Sequence, residues 1–191
     1  QNPRGRLLFM SKTPGVILDR DGTLIVDLIY LNDPAKIEYL PGVFEGLRLL
    51  RDHGFKLCVA TNQSGVPRGE VDVRNLDEIH RHIRAKFSSQ GVDLLSFHSA
   101  PFMTDTDHWL RKPNPGMLLE AVEWYGLDVK RSWMVGDRMT DVEAGHRAGM
   151  RSALMGVSDP PHLYSYACPE VHAPNLLAVA REIVTRSQTS K

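Results

Sequence analysis

Cysteine is scarce in this sequence, with two residues in 191, Cys58 and Cys168. That is too few for a disulfide scaffold and suits a reducing compartment. An excess of either charge is missing too, since 23 basic residues balance 23 acidic ones. No global field therefore favours nucleic acid or a membrane surface, and any bound anion must be held by local groups. No apolar run reaches bilayer-spanning length, and residues 1–13 lack the continuous apolar core of a secretion signal. Internal repeats and low-complexity blocks are absent as well. These absences lead to the expectation of a cytoplasmic protein, working as a monomer with no nucleic acid and no membrane as partner.

What is present is enough apolar residue, 42% of the chain, for one well-buried core. Residues 1–13 read as a flexible lead-in, 14–187 as one domain and 188–191 as a polar tail. Apolar runs at 16–18, 55–60, 94–97, 133–135 and 152–155 predict five strands. Helical spacing predicts helices over 43–51, 73–89, the stretch after Pro115, the stretch after Asp141 and 175–185. Within the 73–89 helix, His80 and His82 are expected on the surface. Residues 25–40, 100–112 and 158–174 read as loops. Strands alternating with helices imply an α/β chain, a parallel sheet covered on both faces in three layers.

The strands share one feature: polarity begins where each stops. The first ends in Asp19-Arg20-Asp21-Gly22-Thr23, the second in Thr61-Asn62-Gln63-Ser64-Gly65 and the fourth in Gly136-Asp137, with Asp141 soon after. The carboxyl ends of parallel strands open into the crevice where such sheets bind ligands. Residues two apart on an extended segment point the same way, so Asp19 and Asp21 can address one substrate. Two carboxylates held close require a cation between them, an acid/base division of labour, or both.

A phosphate monoester in that crevice gives each residue a task. Asp19 would attack phosphorus and form an aspartyl-phosphate. Mg²⁺, a cation that takes hard oxygen ligands, would suit Asp19, Asp137 and the backbone carbonyl of Asp21. Asp141 would either hold metal-bound water or cap the following helix. Lys112 and Thr61 would stabilise the phosphoryl oxygens, with Asn62 and Ser64 as nearby donors. Asp21 would act as general acid for the leaving alcohol and base for the attacking water.

Taken together, Asp19-Arg20-Asp21-Gly22-Thr23, Thr61, Lys112 and Gly136-Asp137 with Asp141 resemble the haloacid dehalogenase (HAD) superfamily of phosphohydrolases. The wording around them, Thr61-Asn62-Gln63-Ser64-Gly65 with Arg68-Gly69 and Arg111-Lys112-Pro113-Asn114-Pro115-Gly116-Met117, is similar to the branch containing D-glycero-D-manno-heptose-1,7-bisphosphate 7-phosphatase and histidinol phosphatase. The resemblance implies a Rossmann-like HAD fold and Mg²⁺. It implies a nucleophilic Asp19, an acid/base Asp21, phosphate contacts from Thr61 and Lys112, and a small-molecule phosphate ester as partner. Substrate contacts would come from Arg111, from Asp27 and Tyr30, and from the motif residues Arg20, Asn62, Gln63, Ser64 and Arg68. Many members of that branch carry a zinc loop built on cysteines. Here the loop offers His98 and His108 but no cysteine, so zinc is not expected, and packing of Pro101, Phe102 and Trp109 is expected to hold the loop instead.

The spacing between motifs leaves no room for a large cap domain. The reading that follows is a phosphatase of a phosphorylated heptose or related sugar with an open site. Histidinol phosphate is the alternative substrate, and a non-catalytic phosphate-binding module the alternative class.

Overall fold

A computed structural model describes residues 12–156 and 167–189. Six parallel strands form one sheet: β1 (Gly15–Leu18), β2 (Lys56–Asn62), β3 (Leu94–Ala100), β4 (Trp133–Gly136), β5 (Arg151–Met155) and β6 (Val171–Ala173). Their spatial order is β3-β2-β1-β4-β5-β6. Among the described residues the α-helices are α1 (Val43–Asp52), α2 (Val73–Ser89), α3 (Gly116–Tyr125), α4 (Met139–Arg147) and α5 (Leu176–Gln188).

Strand alternation divides the core into two layers. Val16, Leu18, Leu57, Val59, Trp133 and Val135 face one side, where Leu47 of α1, Ile79 and Ile83 of α2 and Ile183 of α5 meet them. Ile17, Cys58, Ala60 and Met134 face the other, against Met117 and Ala121 of α3 and Ala144 of α4. Because both faces are covered, the central strands β1 and β4 are buried along their full length. The five expected helices and the three-layer α/β arrangement are thus observed.

Two differences from the sequence reading stand out. Strand β6 lies in the stretch read as a loop; three residues, with Val171 and Ala173 buried and His172 exposed, are too few to make a periodic signal. Strands β2 and β3 also run past their apolar cores, since Thr61 pairs with Ser99 and Asn62 with Ala100. The ladder satisfies the backbone whatever the side chains are, so polar residues extend these strands. The part of the 158–174 loop at residues 157–166 and the tail residues 190–191 lie outside the described residues, as do residues 1–11.

Connectivity places the functional end. From β1 the chain moves outward to β2 and β3, then returns to set β4 on the opposite side of β1. Such a switch point opens a crevice at the strands' carboxyl ends, so the residues following β1 and β4 meet at one cleft. No helix among the described residues is long and apolar enough to cross a membrane.

Candidate active site

Three carboxylates and one ammonium meet where β1 and β4 end. Lys112, in the turn before α3, is 3% exposed, and its Nζ donates to Asp19 Oδ1 and to the Ala60 carbonyl at 2.7 Å each. It also pairs with Asp141 Oδ1 at 2.7 Å, so all three ammonium protons have partners. The Asn62 carboxamide fixes the lysine's backbone, accepting from its N–H and donating to its carbonyl, both at 3.0 Å. Asp141 Oδ2 in turn accepts the N–H of Arg138 at 3.1 Å and starts α4.

Two glycines allow the acids to crowd. A β-carbon on Gly22, whose φ is +76°, would lie 2.3 Å from Asp137 Oδ2. One on Gly136 would lie 2.1 Å from Asp141 Oδ2. With both side chains missing, one carboxylate oxygen from each of Asp19, Asp137 and Asp141 falls within 4.8 Å of the others. Three negative charges then face one lysine. Burial first, and then Asp141, Asp137 and Asp21 against the opposing pull of Lys112, push Asp19 up to about 8. Burial and Asp141 push Asp137 up to about 6. Burial opposes the charge on Lys112, but Asp141 and Asp19 outweigh it and raise its pKa, so it stays an ammonium. Asp137 Oδ1 is buried and has no hydrogen-bond partner. A hard divalent cation would supply both the missing charge and the missing partner, so this donor set fits Mg²⁺.

Asp21, two residues beyond Asp19, has different partners. Arg20 Nε and Nη2 donate to both of its oxygens at 2.9–3.2 Å. Gln63 Nε2 donates to Asp21 Oδ2 at 3.1 Å and to the Thr61 hydroxyl at 2.8 Å. Thr61 is fully buried and its hydroxyl lies 3.5 Å from Asp21 Oδ2. Asp19 and Asp21 both face a cavity of about 490 Å³, together with Lys112 and Asp141.

The cavity's rim comes from four loops, which bring Asp27 and Tyr30, Ser64, Arg111 and Arg138 to it. Asp27 accepts from the Ile29 N–H and pairs with Arg138 at 3.0 Å. Arg111 donates to the Phe102 carbonyl at 3.1 Å, and burial and the charge of Arg68 lower its pKa while Asp105 opposes them.

Among the expected substrate contacts, Arg20, Asn62 and Gln63 line the cavity and are also engaged by other protein groups. Arg20 is 1% exposed and its fork is turned onto Asp21 and His80. Asn62 is used on the backbone of Lys112, and Gln63 on Asp21 and Thr61. Arg68 does not line the cavity and donates to the Thr104 hydroxyl at 3.0 Å instead. His80, expected on the surface, packs on Phe97 with ring centroids 4.6 Å apart. The loop 100–112 is held by Phe102 stacked on His108 at 3.6 Å, whereas Trp109 is 57% exposed. His98 lies in β3, bonded to Ser96 and Glu120, and shares no partner with His108.

The sequence reading missed Arg138 and His80. Arg138 directly follows Asp137, and nothing in its position distinguishes it from a spacer between two acids. His80 carries no signal, because its partner lies sixty positions away.

Similarity to known proteins bears on the family. A HAD-hydrolase-like family model matches residues 109–179. The chain is 37% identical over 153 residues to the D-glycero-beta-D-manno-heptose-1,7-bisphosphate 7-phosphatase of Mesorhizobium japonicum, covering 76% of this chain and 70% of that protein. It is 33% identical over 147 residues to the D-glycero-alpha-D-manno-heptose-1,7-bisphosphate 7-phosphatase of Photorhabdus laumondii, covering 73% and 80%. The crystal structure of D,D-heptose 1,7-bisphosphate phosphatase from B. bronchiseptica, complexed with magnesium and phosphate, superposes with a TM-score of 0.81 at 26% identity, covering 91% of this chain and 99% of that one.

Proposed function

Because this chain belongs to the HAD-like phosphoric monoester hydrolases, in the branch of the heptose-bisphosphate 7-phosphatases, we propose that it removes one phosphate from a phosphorylated heptose or related sugar through a covalent intermediate on Asp19. The reading is carried by the cluster at the strand ends: Asp19, Asp137 and Asp141 around one point, with Lys112 bonded to two of them.

Mg²⁺ is the cation this donor set would take, held by the carboxylates of Asp19 and Asp137 with Asp141 beside them; when bound it neutralises phosphate charge and lets an anionic nucleophile approach. Lys112 and the nucleophile meet at 2.7 Å, which fixes the Asp19 oxygen that is left to attack. Attack forms an Asp19–phosphorus bond while the ester P–O bond breaks, and Asp21 gives its proton to the departing alkoxide. Asp21 then takes a proton from water as that water attacks phosphorus, the acyl-phosphate bond breaks, and inorganic phosphate leaves with Asp19 restored. Thr61 is buried beside Asp21, and Ser64 lines the cavity together with Arg111, Asp27 and Tyr30, which would meet the rest of the substrate. Arg111 on the rim suits a substrate whose far end is anionic, which supports a bisphosphate over histidinol phosphate, whose far end is cationic. The site works within one chain and calls for no second copy, and the even charge balance suits the cytoplasm.

The direct test is inorganic phosphate release, with Mg²⁺ present, from the alpha and beta heptose 1,7-bisphosphates, other sugar phosphates, histidinol phosphate and nucleotides. The proposal expects the fastest turnover on a sugar bisphosphate. A preference for histidinol phosphate would reassign the substrate, and no release from any of them would favour the non-catalytic reading.

A further inference from the structure

Helix α2 turns its apolar stripe of Leu76, Ile79, Ile83 and Phe87 into the core, and nothing in that stripe concerns the cleft. His80 does. Its ring lies nearly flat on Phe97, with planes 24° apart, and its Nε2 is 3.1 Å from Arg20 Nη1. A guanidinium can only donate, so Nε2 is the acceptor and the imidazole is neutral with its proton on Nδ1. Burial, then Arg20 and Arg84, push His80 down to about 3, in agreement with that state.

Arg20 is therefore held at both ends. One edge of its buried fork grips both oxygens of Asp21, and the remaining Nη1 is anchored to α2. Asp21 leans on this brace because it follows the sheet rather than belonging to it, and its other side-chain contacts are one bond from Gln63 and a long one from Thr61. Without the imidazole acceptor, a buried guanidinium N–H would lose its partner and the fork would be free to turn.

We propose that His80, acting through Arg20, is a positioning residue for Asp21 and sets the direction from which that carboxyl exchanges a proton with the leaving alcohol. The inference rests on the phosphatase reading of Asp21. General acid catalysis contributes about 10²–10⁴-fold, and misplacement by about an ångström forfeits much of it.

The test uses the full chain with Mg²⁺ and compares kcat/KM, which reports the ester-breaking step, on the best alkyl phosphate of the substrate panel and on p-nitrophenyl phosphate. His80→Phe keeps the stack on Phe97 and removes the acceptor. It should lower kcat/KM about ten-fold on the alkyl ester, and far less on the aryl ester, whose phenolate leaves without a proton. His80→Gln returns an acceptor and should recover most of the loss. If His80→Phe does not fold, Arg20→Lys, which keeps the charge but loses the fork, should show the same split between esters. Unchanged kcat/KM, equal losses on both esters, or no recovery in His80→Gln would each overturn the proposal. An active wild type with any of those outcomes leaves the phosphatase reading standing, whereas a wild type inactive on every ester removes it.

Discussion

The floor of the cleft and its rim are held by different kinds of contact. At the floor, charged and polar side chains bond one another: Lys112 to Asp19 and Asp141, Arg20 to Asp21, Gln63 to Thr61. At the rim they bond loop backbone, as Arg111 does on the Phe102 carbonyl, or pair in contact with solvent, as Asp27 does with Arg138. Ile29 even takes a positive φ of 55°, rare for a β-branched residue, with its side chain 72% exposed. A floor of interlocked charges in low dielectric resists substitution and is suited to a fixed chemical step. A rim of exposed loops tolerates change and is suited to choosing among substrates.

The sharpest way to break this contrast is at the nucleophile. Asp19→Asn should lower phosphate release by 10³-fold or more, roughly, because no covalent intermediate can form. The fold should survive, since the change relieves repulsion among three acids; it is checked by circular dichroism and by trapping of phosphoenzyme. Residual turnover near the wild-type rate would move the chemistry elsewhere.

A smaller effect concerns the cation. Asp19 is raised from 3.8 to about 8 and Asp137 to about 6, so the folded, cation-free protein resists ionising groups that the unfolded chain ionises freely. Stability from this source is complete below the ordinary carboxylate value and falls as pH rises towards about 8. Mg²⁺ needs the ionised ligands and should reverse that loss. At about 100 times its Kd it should contribute about 2.7 kcal/mol, several degrees in Tm, and the gain should be larger at pH 8 than at pH 5. An equal shift at both pH values would place the ion away from these acids.

The smallest expected effects lie at the rim. Arg111→Ala should raise KM on a sugar bisphosphate about ten-fold, the usual worth of one charge-assisted contact, and leave a monophosphate nearly unchanged. Arg68→Ala, outside the cavity, should change either by about two-fold or less. Equal losses in the two variants would make the rim act as one basic field rather than as a set of distinct contacts.

The same division decides what could be read from sequence. Asp19, Thr61, Lys112 and Asp137 stand out because each follows an apolar run or a loop at a strand's carboxyl end; the structure gathers Asp19, Lys112 and Asp137 and sets Thr61 beside Asp21. The direction of a side chain is not written that way. Arg20 and Asn62 lie inside the same motifs, yet they turn onto Asp21 and onto the backbone of Lys112, because a buried donor takes a fixed partner nearby. Strand β6 escaped notice because the sheet, not its own three residues, makes it a strand. His80 was hidden by its helix, whose apolar periodicity accounts for every neighbour except the one that reaches Arg20.

Strands β1 and β4 are direct neighbours, with Leu18 registered against Val135 and the Asp19 amide bonded to the Val135 carbonyl at 2.8 Å. The acids that follow them cannot drift apart unless that ladder opens, and the ladder lies in the middle of the sheet. Native-state hydrogen exchange should therefore find these amides among the slowest, opening only with global unfolding. For this molecule, loss of the acid cluster and loss of the fold would be a single event, and partial melting at the sheet's edges would leave the chemistry untouched.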